Sequence, residues 1–188
     1  MPMPVAFTKT EISDVLVVKT GRAEDDRGFF TESYSRPMWR AAGFEEIFVQ
    51  DNLSRSRKGT LRGMHYQLSA RGMGKLVRVL QGAVFDVAVD LRRGSPTFGK
   101  WVGRKLSAEN GLSLWIPTGF AHGFVALEDE TLVLYKCTDS HAPEAERSLH
   151  YNDPTVAVSW PIQPTIISPK DDQAPLFADA EYDFVHAG

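Results

Sequence analysis

The chain has 188 residues, 43% of them hydrophobic, and a formal net charge of −3 at neutral pH. This length suits one domain with a real core, and the composition is ordinary for a globular protein. The mildly acidic balance provides no basic field for nucleic acid and no polybasic patch for a membrane surface, although a local cluster of cations can still bind phosphate.

Cysteine usage and hydropathy narrow the protein class further. Cys137 is the only cysteine, which excludes an intrachain disulfide and a cysteine-rich zinc site and favours a reducing, cytoplasmic location. Residues 1–10 carry two prolines and no long apolar run, so they do not read as a signal peptide. No run of 18 apolar residues occurs, so we expect no membrane span.

Nine short apolar runs, separated by turn residues, predict β-strands. In chain order they are Val15–Lys19, Ile47–Asn52, Leu61–Gln67, Lys75–Leu80, Ala83–Leu91, Trp101–Leu106, Leu112–Ile116, His122–Ala126 and Thr131–Cys137. Gln81-Gly82 and the four residues 93–96 supply turns between some of them. Many short strands at fairly even spacing predict an all-β sandwich or barrel.

Two helices interrupt this pattern. The first is predicted after Ser35, which can cap it, with Pro37 in its first turn and Gly43 after its end. A second, shorter helix is predicted at Pro175–Ala178. The expected architecture is therefore mostly β with a few short helices.

Side-chain alternation places polar groups on faces that also carry apolar ones. In the fifth predicted strand, Asp86, Ala88 and Asp90 share one face. The other face carries Phe85, Val87, Val89 and Leu91. A jelly-roll barrel whose mouth is lined by polar and apolar groups together would show this pattern.

The third predicted strand carries a histidine beside a glycine. Alternation predicts that His65 shares its face with Gly63 and Gln67, and that Arg62 and Met64 point the other way. Gly63 leaves room for a ligand to approach the backbone. Taken alone, however, a histidine such as His65 is more often a core or surface residue than a catalytic one.

Other candidate residues are also unremarkable when each is considered alone. Asp171, which follows Ser168-Pro169-Lys170, would be an ordinary turn residue, and Tyr135 in a strand is most often part of a core. Single cations are usually solvated surface charges, and this applies to Arg27, Arg62, Lys75 and Lys170. Spacing alone therefore does not assemble these residues into a site.

The histidines do not predict a metal centre. They are His65, His122, His141, His150 and His186. None forms a His-x-His pair or a close cluster with a glutamate, so a histidine site would require contacts between distant parts of the chain. We therefore expect no catalytic metal.

A series of motifs runs along the chain from about residue 26 to residue 172. The motifs are Asp26-Arg27-Gly28-Phe29-Phe30-x-Glu32, Gln50-Asp51-Asn52-x-Ser54, Gly59-Thr60-Leu61-Arg62-Gly63-Met64-His65-Tyr66-Gln67, Lys75-Leu76-Val77-Arg78-Val79, Gly82-x-x-x-Asp86-Val87-x-x-Asp90-Leu91-Arg92, Ile116-Pro117-x-Gly119-Phe120-Ala121-His122-Gly123-Phe124, Tyr135-Lys136-Cys137-Thr138-Asp139, Pro143-x-x-Glu146, Asn152-Asp153-Pro154 and Ser168-Pro169-Lys170-Asp171. One such motif would be weak evidence, whereas the full ordered set is highly specific. Taken in order, the set resembles the dTDP-4-dehydrorhamnose 3,5-epimerase family.

The resemblance implies one cupin-type jelly-roll domain over residues 1–188, a homodimer with exchanged N-terminal strands, and no cofactor. It implies epimerisation at C3 and C5 of dTDP-4-dehydro-6-deoxy-D-glucose, giving dTDP-4-dehydro-L-rhamnose. An epimerase that inverts only C3 or only C5, in another deoxysugar pathway, would carry the same motifs. The expected partners are thus a nucleotide-sugar and a second copy of the chain, and neither nucleic acid nor a membrane.

Family positions imply roles for individual residues. His65 matches the catalytic base, Asp171 its carboxylate partner, Tyr135 the general acid, and Lys75 the cation near the ketone oxygen. Asp86 matches a buried acidic position beside these catalytic groups. Positions that bind the nucleotide-sugar are matched by Arg27, Phe29, Glu32, Gln50, Asn52, Arg62, His122, Glu146 and Lys170.

These residue types suit the implied reaction. A ketone at C4 acidifies the hydrogens on C3 and C5, so a base on one face and an acid on the other can invert either carbon through an enolate. Histidine has a pKa near working pH, and tyrosine offers a phenol that is neutral at rest. Arginines can bind a diphosphate in bidentate fashion.

One position departs from the family pattern. After residue 139 the family usually has an aromatic pair, whereas this chain has Ser140 and His141. The second position is usually a tyrosine near the nucleotide or the sugar. The change affects the expected preference for the nucleotide base, but it does not affect the proposed acid and base.

Two other protein classes compete with an epimerase. A catalytically silent sugar-nucleotide binder would keep the cations but could lose His65, Tyr135 or Asp171, all of which are present. A metal-dependent cupin oxygenase or isomerase would contain stoichiometric iron, manganese or zinc.

Overall fold

The computed structural model describes residues 3–186, so the first two and last two residues of the predicted 1–188 domain lie outside it. The described part forms β1 Val5–Lys9, β2 Leu16–Thr20, β3 Ala23–Asp25, β4 Gly28–Phe30, α1 Arg36–Ala41, β5 Gln50–Ser56, β6 Leu61–Gln67, β7 Lys75–Gln81, β8 Ala83–Asp90, β9 Trp101–Ser107, β10 Leu112–Ile116, β11 Phe120–Ala126, β12 Thr131–Cys137, β13 Glu146–Ser148 and α2 Pro169–Asp172. A single 3₁₀ turn covers Ser69–Arg71 within the same range.

Two antiparallel sheets make up the body of the protein. One has six strands in the order β1-β2-β10-β7-β12-β5, and the other has five in the order β13-β6-β11-β8-β9. Strands distant in sequence become neighbours, as in a jelly roll. The predicted all-β jelly roll is therefore confirmed. Strands β3 and β4 form a separate two-stranded hairpin.

The space between the two sheets holds the main hydrophobic cluster. Val77, Val79 and Val133 contribute from the six-stranded sheet, and Ala88 and Phe124 contribute from the five-stranded sheet. These residues alternate with outward-facing ones because successive strand residues point to opposite faces. The interior is thus apolar at one end, which leaves the polar inward-facing residues to line the other.

The outer face of each sheet is also covered. Trp39 of α1 and the following Phe44 pack on Leu76 and Trp115 of the six-stranded sheet. On the five-stranded sheet, the C-terminal segment covers the outward-facing residues, with Phe177 among those that contribute. These layers bury the apolar residues on the outer face of each sheet.

Most predicted strands are confirmed to within one or two residues. The exceptions among the described residues are the short strands β1, β3, β4 and β13, which were not predicted, and β5. Strand β5 was predicted at Ile47–Asn52 but runs from Gln50 to Ser56. Its inward-facing side chains are polar, so it lacks the apolar alternation that marked the other strands.

The first helix was predicted correctly, whereas the second was misplaced. Ser35 occupies the N-cap of α1, although its side chain makes no capping hydrogen bond. The segment Pro175–Ala178 is not helical, and it leads instead into a turn in which the amides of Asp179 and Ala180 both donate to the carbonyl of Leu176. The short helix lies earlier, at Pro169–Asp172. None of the helices described is long and apolar enough to cross a membrane.

A β-bulge changes the expected faces of β6. His122 lies opposite His65, and Phe124 lies opposite Arg62, so the single residue Gly123 of β11 faces two residues of β6. The extra residue reverses the alternation. Arg62 and His65 therefore line the same cavity, which corrects the prediction that they point in opposite directions.

Gly63 is needed for the approach of two strands, which corrects its predicted role of making room for a ligand. A Cβ atom on Gly63 would lie 2.4 Å from the Cα of Gly123 and 2.7 Å from the carbonyl oxygen of His122. Its φ angle of +127° is also one that L residues rarely adopt.

We expect Gly63→Ala to lower the free energy of unfolding by about 3 kcal/mol or more, because it adds a backbone clash to a strained φ. Gly94→Ala is the matched control, since Gly94 also has a positive φ of +82° but no heavy atom near its added Cβ. The control should lose only about 1–2 kcal/mol. Denaturant unfolding of both variants measures the difference, and equal losses would contradict the assigned clash.

Candidate active site

The centre of the site is a histidine paired with a buried carboxylate. His65 of β6 and Asp171 of α2 lie 2.6 Å apart, measured from Nε2 to Oδ1. The hydroxyl of Ser168 caps α2 by accepting the Asp171 amide at 3.1 Å, and this fixes the carboxylate at the start of the helix. The pair joins residues that are 106 positions apart in the chain.

The carboxylate of Asp171 is ionised although only 3% of the residue is exposed. Burial pushes its pKa upward, but the hydrogen bond and charge of His65 and the amide of Gly63 outweigh burial, so the net pKa is lowered. An ionised Asp171 holds the imidazole in one orientation and can stabilise its protonated form. The side chain of His65 itself remains 31% exposed toward the cavity.

Two adjoining cavities open beside this pair. The first has a volume of about 420 Å³ and is lined by Ser54, Thr60, Leu61, Arg62, His65, Lys75, His122, Phe124, Tyr135, Ile166, Ile167, Ser168, Lys170 and Asp171. The second, of about 310 Å³, is lined by Gln50, Asn52, His65, Tyr66, Gln67, Met73, Lys75, Tyr135, His141 and Glu146. His65, Lys75 and Tyr135 line both, so they lie where the cavities meet.

Lys75 of β7 supplies a cation at this junction. Its Nζ donates to the carbonyl oxygen of His65 at 3.3 Å. Burial lowers the pKa of the amine, whereas Cys137, Asp86 and Glu146 oppose this effect. A cation held in a partly desolvated cavity stabilises a developing negative charge strongly, because water does not screen it.

Tyr135 of β12 presents its phenol to the same junction. Burial, aided by Cys137, raises the pKa of the phenol, and nearby Arg62 partly opposes this rise. Within residues 3–186 the hydroxyl has no hydrogen-bond partner, so it can donate to a ligand. The phenol is therefore neutral at rest and positioned to give up a proton.

A second histidine–carboxylate pair lies deeper in the interior. His122 of β11 and Asp86 of β8 are both buried, with Nε2 and Oδ1 2.7 Å apart. Burial lowers the pKa of His122, and the charges of Lys75 and His65 lower it further, whereas Asp86 opposes the change. The other oxygen of Asp86 has no hydrogen-bond partner among the described residues.

Polar side chains on β5 form one wall of the second cavity. Gln50 donates to Asn52 at 3.1 Å and accepts the amide of His141 at 3.0 Å. Asn52 in turn donates to the sulfur of Cys137 at 3.4 Å. This wall offers amide groups that can hydrogen-bond a nucleotide or a sugar hydroxyl.

An ionic cluster bridges the two cavities at their rim. Glu146 lies 2.6 Å from Lys170 and 3.6 Å from the imidazole of His141. Burial raises the pKa of Glu146, but Lys170, His65 and His141 lower it by more. The cluster pairs a cation that can bind phosphate with a carboxylate that can accept a hydrogen bond from a nucleotide base or a hydroxyl group.

Arg62 is oriented along the wall of the first cavity. Its Nε donates to the hydroxyl of Ser56 at 3.1 Å, and its guanidinium also donates to the carbonyl of Arg55 at 3.2 Å. No carboxylate of the described chain pairs with Arg62 in an ion pair, so its charge is available to an anion.

Three predicted binding residues lie away from both cavities. Arg27 and Phe29 sit on the β3–β4 hairpin, where the Arg27 side chain is 90% exposed and Phe29 is 54% exposed. Arg27 pairs with its neighbour Asp25, and Phe29 stacks under Arg22. Glu32 follows the hairpin and lines neither cavity. The chain by itself therefore does not bring these residues to the site.

Several lining residues were not identified from the sequence. Ile166 and Ile167 form part of the first cavity because an isolated bridge joins Ile166 to Thr60 beside β6. Met73 lines the second cavity from the loop after the 3₁₀ turn. Isolated apolar residues in loops carry no periodic signal, so these three could not be found from the sequence. Only the neighbouring segment Ser168-Pro169-Lys170-Asp171 carries a recognisable pattern, that of a helix cap.

Among residues 3–186, no three His, Cys, Asp or Glu side chains are placed so that together they could hold a metal ion. The expectation that catalysis needs no metal stays a prediction.

Comparisons with known proteins agree on one family. A family model described as dTDP-4-dehydrorhamnose 3,5-epimerase matches residues 9–179. The dTDP-4-dehydrorhamnose 3,5-epimerase of Pseudomonas aeruginosa is 54% identical over 176 residues, which is 93% of this chain and 97% of the relative.

Solved structures agree in fold. The Legionella pneumophila dTDP-6-deoxy-D-glucose-3,5-epimerase RmlC, in complex with dTDP-4-keto-L-rhamnose, is 49% identical with a TM-score of 0.89, covering 93% of this chain and 94% of that one. ChmJ, a 3'-monoepimerase from Streptomyces bikiniensis in complex with dTDP-quinovose, is 32% identical with a TM-score of 0.84, covering 90% and 87%. By its motifs, its fold and these matches, the chain belongs to the dTDP-4-dehydrorhamnose 3,5-epimerase family.

Proposed function

We propose that the protein is an isomerase that inverts C3 and C5 of dTDP-4-dehydro-6-deoxy-D-glucose through enolate intermediates, giving dTDP-4-dehydro-L-rhamnose. The observation that carries this proposal is the junction of the two cavities, where an imidazole, a phenol and an ammonium group meet. These are the base, the acid and the electrophile that the reaction requires. We expect the reaction to take place in the cytoplasm and to need no cofactor.

His65 is the proposed base. Loss of a proton from C3 or C5 converts its neutral imidazole into an imidazolium, and the carboxylate of Asp171 at 2.6 Å stabilises that charge. Histidine side chains commonly serve as general bases in such proton transfers.

Lys75 and Tyr135 complete the proposed reaction. As the proton leaves carbon, charge moves to the C4 oxygen, where the ammonium group of Lys75 stabilises it by about 2.7–4 kcal/mol. Tyr135 then returns a proton to the other face of the carbon and becomes a phenolate. Because removal and return occur on opposite faces, the carbon is inverted.

The remaining cavity residues are proposed to hold the nucleotide. Arg62 and Lys170 supply positive charge for the diphosphate. When the diphosphate binds, Lys170 exchanges its ion pair with Glu146 for one with the phosphate oxygens. Gln50 and Asn52 on β5, together with His122, offer polar contacts to the sugar or nucleoside. His141, where the family usually has tyrosine, lines the second cavity and is the proposed determinant of base preference.

A homodimer explains the three residues that lie outside the cavities. Arg27, Phe29 and Glu32 would reach the site of a second copy if the N-terminal strands are exchanged, as the family resemblance implies. The outward-facing surface supports this arrangement, because Phe30 and Leu53 are 68% and 63% exposed and β5 is an edge strand.

Mixing two inactive variants tests the dimer. We expect Arg27→Ala and His65→Asn each to be inactive alone, whereas a refolded mixture should recover up to about a quarter of wild-type activity, because half the dimers are mixed and one of their two sites is intact. Light scattering should give twice the chain mass. A monomeric mass, or a mixture without recovery, would contradict the exchanged dimer.

Incubation with dTDP-4-keto-6-deoxyglucose in deuterated water, followed by proton NMR, tests the function. We expect deuterium at both C3 and C5 and a signal from the L-rhamnose configuration. No uptake by the folded wild-type protein would overturn the proposal and favour a silent binder.

Elemental analysis of the same sample tests the metal-dependent alternative, which requires stoichiometric iron, manganese or zinc.

A single-position epimerase is the second candidate. The similarity to ChmJ, described as a 3'-monoepimerase, is the observation that supports it. The same base and acid serve either outcome, so the chemistry at the junction does not distinguish them. Deuterium at only one of the two carbons in the NMR experiment would favour this candidate.

A further inference from the structure

The proposed reaction leaves its acid and base in the wrong protonation states. After one inversion, His65 carries an extra proton and Tyr135 lacks one. A second inversion at the other carbon requires that a proton move from the imidazolium to the phenolate. This proton transfer follows from the proposed function, and a group in the site must carry the proton.

His122 is a neighbour of both of these residues. It is the direct cross-strand partner of His65, and its ring centroid is 6.5 Å from that of Tyr135. All three side chains line the first cavity. Directly opposed residues on antiparallel strands have Cβ atoms about 4.5–5.5 Å apart, so the two imidazoles are neighbours.

Asp86 gives this histidine the properties of a carrier. It accepts from His122 Nε2 at 2.7 Å, which leaves Nδ1 as the only ring nitrogen free to exchange protons. The carboxylate is fully buried, and its second oxygen is unpartnered within the described chain. A buried carboxylate with so few partners costs free energy unless a positive charge forms beside it.

We propose that the His122–Asp86 pair is a proton relay that resets His65 and Tyr135 between the two inversions. Nδ1 of neutral His122 accepts the proton from the His65 imidazolium, directly or through one water. His122 becomes an imidazolium stabilised by Asp86. It then donates the same proton to the Tyr135 phenolate, and all three groups return to their resting states with no net gain or loss of protons.

The surrounding charges suit a transient carrier. The titratable groups that face His122 are Asp86 from β8, Lys75 from β7 and His65 from β6. Burial and the charge of Lys75, joined by that of His65 while it is protonated, disfavour a permanent charge on His122, whereas Asp86 favours a temporary one. Lys75 is less suited to relay a proton, because its Nζ is held by the carbonyl of His65 and its charge is needed at the enolate.

Asp86→Asn separates the relay from the chemical steps. The amide oxygen can still accept from His122, but the charge that stabilises its imidazolium is lost. We expect a burst of about one exchanged carbon per active site at a rate within about threefold of wild type. Steady turnover after the burst should be roughly tenfold slower or more. Rapid-quench measurement of deuterium uptake resolves the two phases.

Two controls accompany this variant. Asp172→Asn removes an exposed carboxylate next to the catalytic pair and should leave both phases unchanged. Binding of dTDP, measured by calorimetry, shows whether Asp86→Asn retains a folded site. A variant that binds dTDP and turns over at the wild-type rate would overturn the relay.

Buffer dependence tests the relay in the wild-type enzyme and, by comparison, in Asp86→Asn. Imidazole in solution can reach the open cavity and replace an absent relay. We expect turnover of Asp86→Asn to rise several-fold with imidazole concentration, whereas wild-type turnover stays constant. A wild-type rate that rises equally would show that solvent resets the site and would overturn the relay. Failure of the relay can be distinguished from failure of the proposed function. If the proposed function is wrong, the wild-type protein shows no deuterium uptake.

Discussion

The variant His65→Asn should fold and bind dTDP, yet lose solvent deuterium uptake into the 4-keto sugar by roughly 10³-fold or more. The amide keeps a similar shape and can still hydrogen-bond Asp171, but it does not accept a proton from carbon. Because proton removal precedes every later step, uptake at C3 and at C5 should fall together. Proton NMR in deuterated water measures both positions.

A matched histidine shows that the loss is specific. His150 stacks on Tyr151 and lines neither cavity, so His150→Asn should keep wild-type uptake. Substantial exchange by folded His65→Asn would remove His65 as the base. Loss of exchange at only one carbon would instead indicate that each carbon has its own base.

Replacing the phenol should separate exchange from inversion. In Tyr135→Phe the enolate still forms, and His65 can return a proton or deuteron to the face it came from. We therefore expect deuterium uptake to survive at a carbon while the epimerised product falls by roughly 10²–10⁴-fold. NMR reports both quantities, since label and configuration give separate signals.

Tyr151→Phe serves as the control for this second experiment. Tyr151 lies outside both cavities, so loss of its hydroxyl should leave product formation unchanged. Full product formation by Tyr135→Phe would remove Tyr135 as the acid. Complete loss of both label and product would indicate that the phenol is needed before the enolate forms.

These two variants bear directly on the arrangement at the cavity junction. The base is paired with a carboxylate and partly exposed, whereas the phenol is half-buried and has a raised pKa. Burial disfavours charge on the phenol, so Tyr135 is protonated at rest, whereas the charge of Asp171 stabilises the imidazolium that forms when His65 accepts a proton. The fold thus prepares one acceptor and one donor of protons at neutral pH.

Much of the fold could be predicted from residue patterns. Strands β6 to β12 pack against an apolar interior or an apolar outer layer, so their alternation is visible in the sequence. Strand β5 was misplaced because its inward side faces a polar cavity, and the hairpin strands were missed because they bury little. The second helix was misplaced because the chain becomes helical earlier, at Pro169–Asp172, where the hydroxyl of Ser168 accepts the amide of Asp171.

The motifs determined the identity of the candidate catalytic residues, because their order along the chain is specific to one family. Only the tertiary structure decided how they meet. The pairs His65–Asp171 and His122–Asp86 join residues 106 and 36 positions apart. A one-residue bulge turned Arg62 to the side of His65, against the alternation of an ideal strand. Sequence patterns record which side chains prefer burial, whereas distances between remote side chains follow from strand register, which depends on the packing of the whole fold.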